Sequence, residues 1–529
     1  MQGYYHRGRS AATLAARFAD RIAVADRNDT ITYAALYRRA AAMAERLIAA
    51  GVRPGDPVAC FVRNSIPAVW ASLGVLLAGG AEAGVNINLA ESDRLHCLRL
   101  ADIRHAIAAE ADAEFFRGHG IEVHTLETTG ETELRPEALP AVRYEDRARI
   151  GFTSGTTGLA KGVVTNQHAR WAGSLLQRAA MPTRPGAQSR LLLMTPFSHG
   201  ASILTWAYLE QGGSLLLLDG VDTDFVLPIL RRREVDEMFA PPTVLAKIVA
   251  AAAGEIVASA SGEIVASATG ETLPGLRTIY TGTAVLSPGL YSRAKAIFGP
   301  VIRVTYGKTE VTNPICVLEP PELDAWYAEG GADADACVGW PATGVEIVID
   351  GGDGQPAAVG TIGEVLIRAQ HMMSGYLRPV EGGAIYDKLE DGAFHESGDL
   401  GYLDARGRLH LVGRAADVIK TGGYKVAPEE VERALAPALA GSEVTVFGLA
   451  SEYWGEVIVA VAERPAPGWE AAVQAVTAEM TGYKRPRAFV ALDELPRNAM
   501  LKISRKTVRA RVLEQYRLID GPRPTLEPV

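Results

Sequence analysis

The chain is poor in the residues that mark several whole classes of protein. Its four cysteines, Cys60, Cys97, Cys316 and Cys337, are scattered, with no CxxC pair among them. That spacing offers no metal-ligand pattern and favours buried free thiols in a reducing cytosol. No apolar run reaches the roughly 18 residues that a membrane-spanning helix requires. The opening stretch MQGYYHRGRSAATLAARFADRIAV lacks the apolar core of a signal peptide. Net positive charge is also missing: 53 Lys and Arg against 62 Asp and Glu leave −9, the reverse of a nucleic-acid footprint. The expectation is a cytoplasmic protein with no membrane span and no nucleic-acid partner.

What remains is a chain of 529 residues, 48% hydrophobic and 22% charged. Its composition is that of a soluble globular protein, and its length predicts about two to four domains. Residues 32–51, TYAALYRRAAAMAERLIAAG, place apolar side chains at helical spacing before a capping Gly51. PVACFV (57–62) reads as a buried strand and AVWASLGVLLAGG (68–80) as a second helix. The alternation continues through strands at 190–198, 213–219 and 276–282, which predicts a layered α/β architecture. An eight-residue tandem duplication, GEIVASAS then GEIVASAT (254–269), reads as a lengthened surface loop between a helix and the next strand. Beyond residue 340 the texture changes to short β segments parted by Gly and Asp, and the last stretch of about 110 residues predicts a small α/β unit with a basic tail.

Chemistry concentrates first in IGFTSGTTGLAKGVV (150–164). Glycines let a backbone turn tightly and approach a ligand, and successive N–H groups with hydroxyls form an anion nest. Lys161 adds a point charge, so a phosphate is the natural guest. A P-loop would need Gly-Lys-Ser/Thr at its end, whereas Lys161 lies between Ala160 and Gly162. At this point the stretch fits a plain surface loop as well as a nucleotide site.

Five further stretches bear on the choice: PFSHGAS (196–202) with His199 entering a helix, YTGTAVLSP (280–288), YGKTE (306–310), SGDLGYLDARGRLHLVGR (397–414) with Asp399 read as ending a strand, and NAMLKISR (498–505). Taken singly, Tyr306 fits core packing, Asp399 a turn and Lys502 a solvated charge. Their order along the chain closely resembles the adenylate-forming superfamily of acyl-CoA synthetases, adenylation domains and beetle luciferases, from about residue 10 to about residue 515.

The resemblance implies an α/β fold: a large N-terminal domain of layered subdomains (residues 1–413) and a small mobile C-terminal domain (414–529). It implies an ATP-dependent, AMP-forming carboxylate–CoA ligase that uses ATP, Mg²⁺ and CoA on a small or aromatic carboxylic acid. Thr153, Ser154, Gly155, Thr156, Thr157, Gly158 and Lys161 match the loop on the ATP phosphates. Tyr306 matches the residue stacked on adenine, with Gly282 and Thr283 lining the base. Thr157 and Glu310 match the Mg²⁺ positions, Asp399 the ribose carboxylate and Arg414 its neighbour. Lys502 matches the Lys bridging substrate carboxylate and α-phosphate. His199, beside Gly200, matches the acyl-pocket position, with a structural role as its alternative. Lys420, Gly422 and Gly423 match the loop that lines the pantetheine tunnel after the small domain has rotated about a hinge.

Four positions depart from the family pattern. Ala416 stands at the hinge where Asp or Lys is usual, Ala160 replaces a Pro before the loop Lys, and Ser397 replaces a Thr. Lys308 occupies a position normally Met, Gln, Leu or Ser. If 306–310 is extended, Lys308 shares a face with Glu310, and a Lys facing the pocket implies a second anion on the substrate; a solvent-facing Lys is the other reading. Two other second steps fit the same first one: loading of a carrier protein in place of CoA, and nitrite-dependent diazotisation of an aryl amine. A non-enzymatic binding protein is disfavoured by the presence of every charged nucleotide position.

Overall fold

The computed structural model describes the chain apart from residues 1–3, 6, 155–159, 183, 198–201, 255–271, 331–335, 353–354, 381–382, 423, 440 and 499–501. It divides into two units. One comprises Met1–Ala332, Val338–Glu346 and Arg368–Phe394; the other comprises Asp333–Cys337, Ile347–Ile367 and His395–Val529. The tandem duplication falls largely outside the described residues, after the helix Pro242–Ala252 and before the strand Thr278–Gly282.

Two sheets build the larger unit. Across the first, the strands run Gly383–Lys388, Gly375–Val380, Ala160–Asn166, Arg147–Ser154, Ala81–Gly84, Pro57–Phe61, His105–Ala108 and Glu122–Thr125. The second runs through Cys316–Leu318, Ile302–Tyr306, Thr278–Gly282, Glu237–Phe239, Arg190–Leu193, Ser214–Leu217, Ile22–Ala25 and Thr30–Thr32. Its centre is parallel, from Ile302–Tyr306 to Ile22–Ala25. Such strands are covered on both faces and read as apolar runs, which is why RLLL and SLLL announce themselves in the sequence.

The helix expected at 32–51 spans Tyr33–Ala49, and the Thr32 hydroxyl accepts the Ala35 N–H at 3.3 Å as its N-cap. Tyr33, Leu36, Tyr37, Ala40, Met43, Ala44 and Leu47 form its buried stripe. With the helix Ile66–Leu77 it lies in one apolar core that includes Val58 and Ile107 of the first sheet and Leu191, Leu215 and Tyr280 of the second. The helices are therefore the layer between the sheets. Truncating Leu47 to Ala there would cost about 2–5 kcal/mol. On the other face of the first sheet, Leu98 and Phe116 of two further helices pack on Phe61, Ile150 and Val164.

The smaller unit has an antiparallel group, in which His395–Leu403 pairs with Gly363–Ala369 and with Leu409–Arg414. A second sheet runs Tyr424–Val426, Ile419–Thr421, Gly455–Glu463 and Val444–Ser451, with Ala488–Leu492 parallel beside Gly455–Glu463. The helix Pro428–Leu435 contributes Val431 and Leu435 to one core, and Arg505–Gln515 contributes Val508 and Val512 to another. Asp399 lies inside the strand His395–Leu403, not at its end. The strand is irregular there: its pairing with Leu409–Arg414 shifts register between Leu400 and Gly401, and Gly398 has φ at +68°, a left-handed conformation that favours glycine.

Candidate active site

In the larger unit, the predicted phosphate segment is a hairpin whose strands are Arg147–Ser154 and Ala160–Asn166, with Lys161 opposite Thr153 and Ala160 opposite Ser154. Gly155, Thr156, Thr157 and Gly158 lie outside the described residues, as do His199 and Gly200. A Cβ on Gly151 would stand 2.7 Å from Thr309 Cγ2, so the hairpin touches the YGKTE segment. Lys161 Nζ lies over the ring of Tyr376, 5.5 Å from its centre. The Tyr376 hydroxyl donates to Glu310 Oε1 at 3.1 Å. Burial, reinforced by the Glu310 charge and this bond, pushes the Tyr376 phenol up, so it stays protonated as a donor at neutral pH. Arg378 lies on the same ring at 4.9 Å and pairs with Asp387 at 2.8 Å.

Glu310 is fixed by backbone as well. Its carbonyl accepts the Met373 N–H at 2.7 Å, and Val164 O accepts the Ser374 N–H at 2.7 Å. These bonds tie Glu310, through residues 373–376, to the strand that carries Lys161. Tyr376 is distant in sequence from both, and no local pattern marks it.

A second group forms at the carboxyl ends of two parallel strands, where ligands bind in open α/β sheets. Gly282 ends Thr278–Gly282 opposite Thr305, and a Cβ there would lie 2.2 Å from Thr305 O; only glycine permits that approach. Thr283 follows with φ at +69°, a left-handed conformation costing a non-glycine residue about 1–3 kcal/mol and concentrated at functional sites. Tyr306 ends the neighbouring strand and is buried. Asn313 Nδ2 donates to Thr305 Oγ1 at 3.1 Å, and Thr305 Oγ1 donates to Thr281 O at 3.2 Å. Among the described residues, Asn313 Oδ1 and Thr281 Oγ1 are buried without a hydrogen-bond partner. Unpaired polar atoms beside a cradle that a Cβ would fill suit a polar planar ligand such as a nucleobase. Asn313 escaped the sequence reading because it lies outside the motif.

Residues 306–310 are not extended throughout. The strand stops at Tyr306, Thr309 and Glu310 form a bend, and Lys308 N–H donates to Val311 O at 3.2 Å. Strand alternation therefore does not set Lys308 and Glu310 on a common face. Lys308 is half-buried.

In the smaller unit, Asp399 and Arg414 are direct partners in adjoining strands, and Arg414 Nε donates to Asp399 Oδ1 at 2.8 Å. Lys420 lies in the strand Ile419–Thr421 with its N–H on Glu456 Oε2 at 2.6 Å, and Gly422 donates to Trp454 O at 2.8 Å; Gly423 lies outside the described residues. Lys502 follows the last undescribed segment. Asn498 holds it at both backbone groups, its Oδ1 accepting Lys502 N–H at 3.1 Å and its N–H donating to Lys502 O at 2.8 Å. Three residues on, Arg505 binds Asp417 at 2.8 Å, Glu429 at 2.7 Å and Glu432 at 2.8 Å. Despite burial, those three carboxylates hold the Arg505 guanidinium firmly charged.

Residues 12–377 match the family model of the AMP-binding enzymes, and residues 430–502 match that of the AMP-binding enzyme C-terminal domain. A 2-succinylbenzoate–CoA ligase of Geobacillus kaustophilus is 30% identical, with 93% of this chain and 95% of that protein covered. A feruloyl-CoA synthase of an Amycolatopsis species is 29% identical over 91% of this chain and 94% of its own. Among solved structures, the o-succinylbenzoate CoA synthetase of Bacillus subtilis, in complex with its acyl-adenylate intermediate, is 25% identical with a TM-score of 0.79, covering 94% of this chain and 97% of that one. The same enzyme bound to ATP and magnesium gives a TM-score of 0.78 at 25% identity, over 94% and 99%.

Proposed function

The chain belongs to the AMP-binding enzyme family, and from that premise we propose that it is an ATP-dependent carboxylate–CoA ligase acting on an aryl or small carboxylic acid. The observation that carries this reading is the line Lys161–Tyr376–Glu310, which joins a cation, a neutral donor and a carboxylate beside the phosphate hairpin. Such a set fits triphosphate and divalent metal together.

One oxygen of the substrate carboxylate attacks the α-phosphorus of ATP, and the bond to the bridging oxygen breaks to release pyrophosphate. The protein's task is positioning and charge compensation. Lys161, with Thr153, Ser154, Gly155, Thr156, Thr157 and Gly158, holds the departing phosphates. Tyr306, Gly282 and Thr283 hold the base, while Asp399, oriented by Arg414, accepts from the ribose hydroxyls. Mg²⁺, which Glu310 and Thr157 would hold, supplies neutralisation of phosphate charge. Tyr376 keeps the Glu310 carboxylate oriented for that purpose. Lys502 places its ammonium on the reacting carboxylate and α-phosphate, a contribution of about 3–4 kcal/mol on the scale of one preorganised donor. In the second step the CoA thiol attacks the acyl carbon, the thiol proton leaves and AMP departs with the bridging oxygen. Lys420, Gly422 and Gly423 line the route of the thiol arm. His199 and Gly200 belong to the acid pocket.

A finer substrate class, an acid with a second anionic group besides the reacting carboxylate, is supported by a half-buried cation, Lys308, two residues from Glu310, although the two do not share a strand face. 2-Succinylbenzoate, for which one relative is named, carries two carboxylates. The cytoplasm, where ATP and CoA are abundant, is the place of this reaction. Among the described residues, no helix is long and apolar enough to cross a membrane.

The test is pyrophosphate release over aryl, short-chain and dicarboxylic acids, followed by chromatography for the CoA thioester. Acid-dependent release with matching thioester supports the proposal. Acid-dependent release that yields thioester only on a carrier protein, or product only with nitrite and an aminoaryl acid, replaces the second step. Release with no acid dependence overturns the whole reading.

A further inference from the structure

At one edge of the first sheet, three side chains with no place in the adenylation chemistry converge. The strands His105–Ala108 and Glu122–Thr125 pair in parallel, with His105 opposite Glu122. Partners in register share a face of the sheet, and so do residues two apart, so His105, Glu122 and His124 project on one side. Each offers one ligand atom, and the three atoms lie within 4.8 Å of one another. His124 is buried, His105 half-buried and Glu122 exposed.

The separations are long for hydrogen bonds and suit a ligand set. His124 Nε2 lies 3.4 Å from His105 Nδ1, and His105 Nδ1 lies 3.7 Å from Glu122 Oε2. Both exceed the usual 2.7–3.2 Å of a good hydrogen bond. Zinc binds His nitrogen at about 2.0–2.1 Å and carboxylate oxygen at about 2.0–2.2 Å, so ligand atoms around a tetrahedral ion stand about 3.3–3.5 Å apart. The two imidazoles already have that spacing, and the exposed Glu122 carboxylate oxygen, which lies within 4.8 Å of both, completes the set by moving in by at most about 1.4 Å. Arg46, the nearby cation, is occupied by Thr128 Oγ1 at 2.9 Å and Thr129 Oγ1 at 3.0 Å.

We propose that His105, His124 and Glu122 form a second metal site, which takes Zn²⁺ or a closely similar first-row divalent ion and leaves a fourth position for water. Two imidazoles and a carboxylate suit zinc better than magnesium, which demands an oxygen octahedron. The site spans the third and fourth strands from Arg147–Ser154 in the same sheet, roughly 14–19 Å away at normal strand spacing, and so is separate from the phosphate hairpin. Its effect is to clip the edge strand Glu122–Thr125 to its neighbour. An ion bound only by the folded chain raises its stability.

The experiment uses untagged full-length protein, stripped with chelator and dialysed against micromolar Zn²⁺. Metal content and thermal midpoint are measured for the wild type, Glu122→Gln, His105→Ala and His124→Ala, each also with Glu310→Gln to remove the candidate Mg²⁺ site. Co²⁺ serves as a spectroscopic probe. The expected result is one tightly held Zn²⁺ per chain that survives Glu310→Gln, a zinc-dependent rise in melting temperature, and the visible absorption of four-coordinate Co²⁺. His105→Ala and His124→Ala abolish all three, and Glu122→Gln weakens Zn²⁺ binding at least about 10- to 100-fold, the range reported even for loss of an outer-sphere partner. Since Glu122 is exposed, its variant keeps the test valid if His124→Ala fails to fold. No retained zinc in the wild type, or zinc content and Co²⁺ absorption indifferent to Glu122→Gln and His105→Ala, overturns the proposal.

Discussion

Asp399 and Arg414 face each other across neighbouring antiparallel strands, with Arg414 Nε on Asp399 Oδ1 at 2.8 Å. The Asp399 side chain is 7% exposed and that of Arg414 55%. The carboxylate is thus held from the open side by a guanidinium, in a fixed orientation that suits bidentate recognition of a diol. Asp399→Ala is expected to raise the KM for ATP about 10- to 150-fold, the equivalent of about 1.5–3 kcal/mol for hydrogen bonds to a charged group. The KM for the acid should change little. Steady-state kinetics with each substrate varied in turn decide it; an unchanged ATP KM removes Asp399 from the nucleotide site.

Tyr376→Phe keeps the ring under Lys161 and deletes only the hydroxyl on Glu310. The expected result is a higher Mg²⁺ concentration for half-maximal adenylation, with kcat/KM at limiting Mg²⁺ down about 10-fold or more. Saturating Mg²⁺ should restore much of the loss. A variant whose Mg²⁺ titration overlays the wild type shows that Tyr376 packs without orienting Glu310.

Lys502→Ala should abolish acyl-adenylate formation and leave transfer from preformed adenylate to CoA nearly intact, since the proposed mechanism uses the ammonium on the α-phosphate in the first step alone. Arg505 is a positioning residue for it: its three carboxylate partners anchor the helix Arg505–Gln515 immediately after the Lys502 segment. Arg505→Met leaves three partly exposed carboxylates without their shared cation and should lower the thermal midpoint, and the protein that remains folded should lose kcat with the ATP KM preserved. Separate assays of the two half-reactions, with thermal melts, check both variants. Equal loss in both half-reactions for Lys502→Ala contradicts its role.

Lys308→Met separates the substrate classes. On acids with a second anion, kcat/KM should fall by about 10-fold to a few hundredfold, as loss of one charge-assisted contact implies. Monocarboxylic acids and the ATP KM should be little affected. Equal effects on singly and doubly anionic acids place Lys308 outside the acid pocket.

Much of this was legible in the sequence where physics acts locally. The helix Tyr33–Ala49 follows from a capping Thr, an apolar stripe and a terminal Gly; the parallel strands at 190–193 and 214–217 follow from leucine runs bounded by polar turns. Tyr306 and Gly282 emerged from motifs at strand ends, and the strands do end there. Contacts between distant segments were not legible. Tyr376 meets Glu310 only because Gly375–Val380 adds beside Ala160–Asn166 in the sheet. Asn313 reaches Thr305 because the chain folds back after Glu310. Local reading also failed where a hydrogen bond overrode periodicity: the Lys308–Val311 bond bends a segment read as extended.

The account's central claim is that the substrate carboxylate becomes an acyl-adenylate before it becomes a thioester. Isotope transfer tests this most directly. An acid that is turned over is labelled with ¹⁸O in its carboxylate, incubated with ATP, Mg²⁺ and CoA, and the nucleotide and phosphate products are analysed by mass spectrometry. The carboxylate oxygen that attacks the α-phosphorus must leave with AMP when the thiol takes the acyl group, so the account predicts one ¹⁸O in AMP for each thioester formed and none in pyrophosphate. Label in inorganic phosphate together with ADP, or thioester formed with unlabelled AMP, would contradict it.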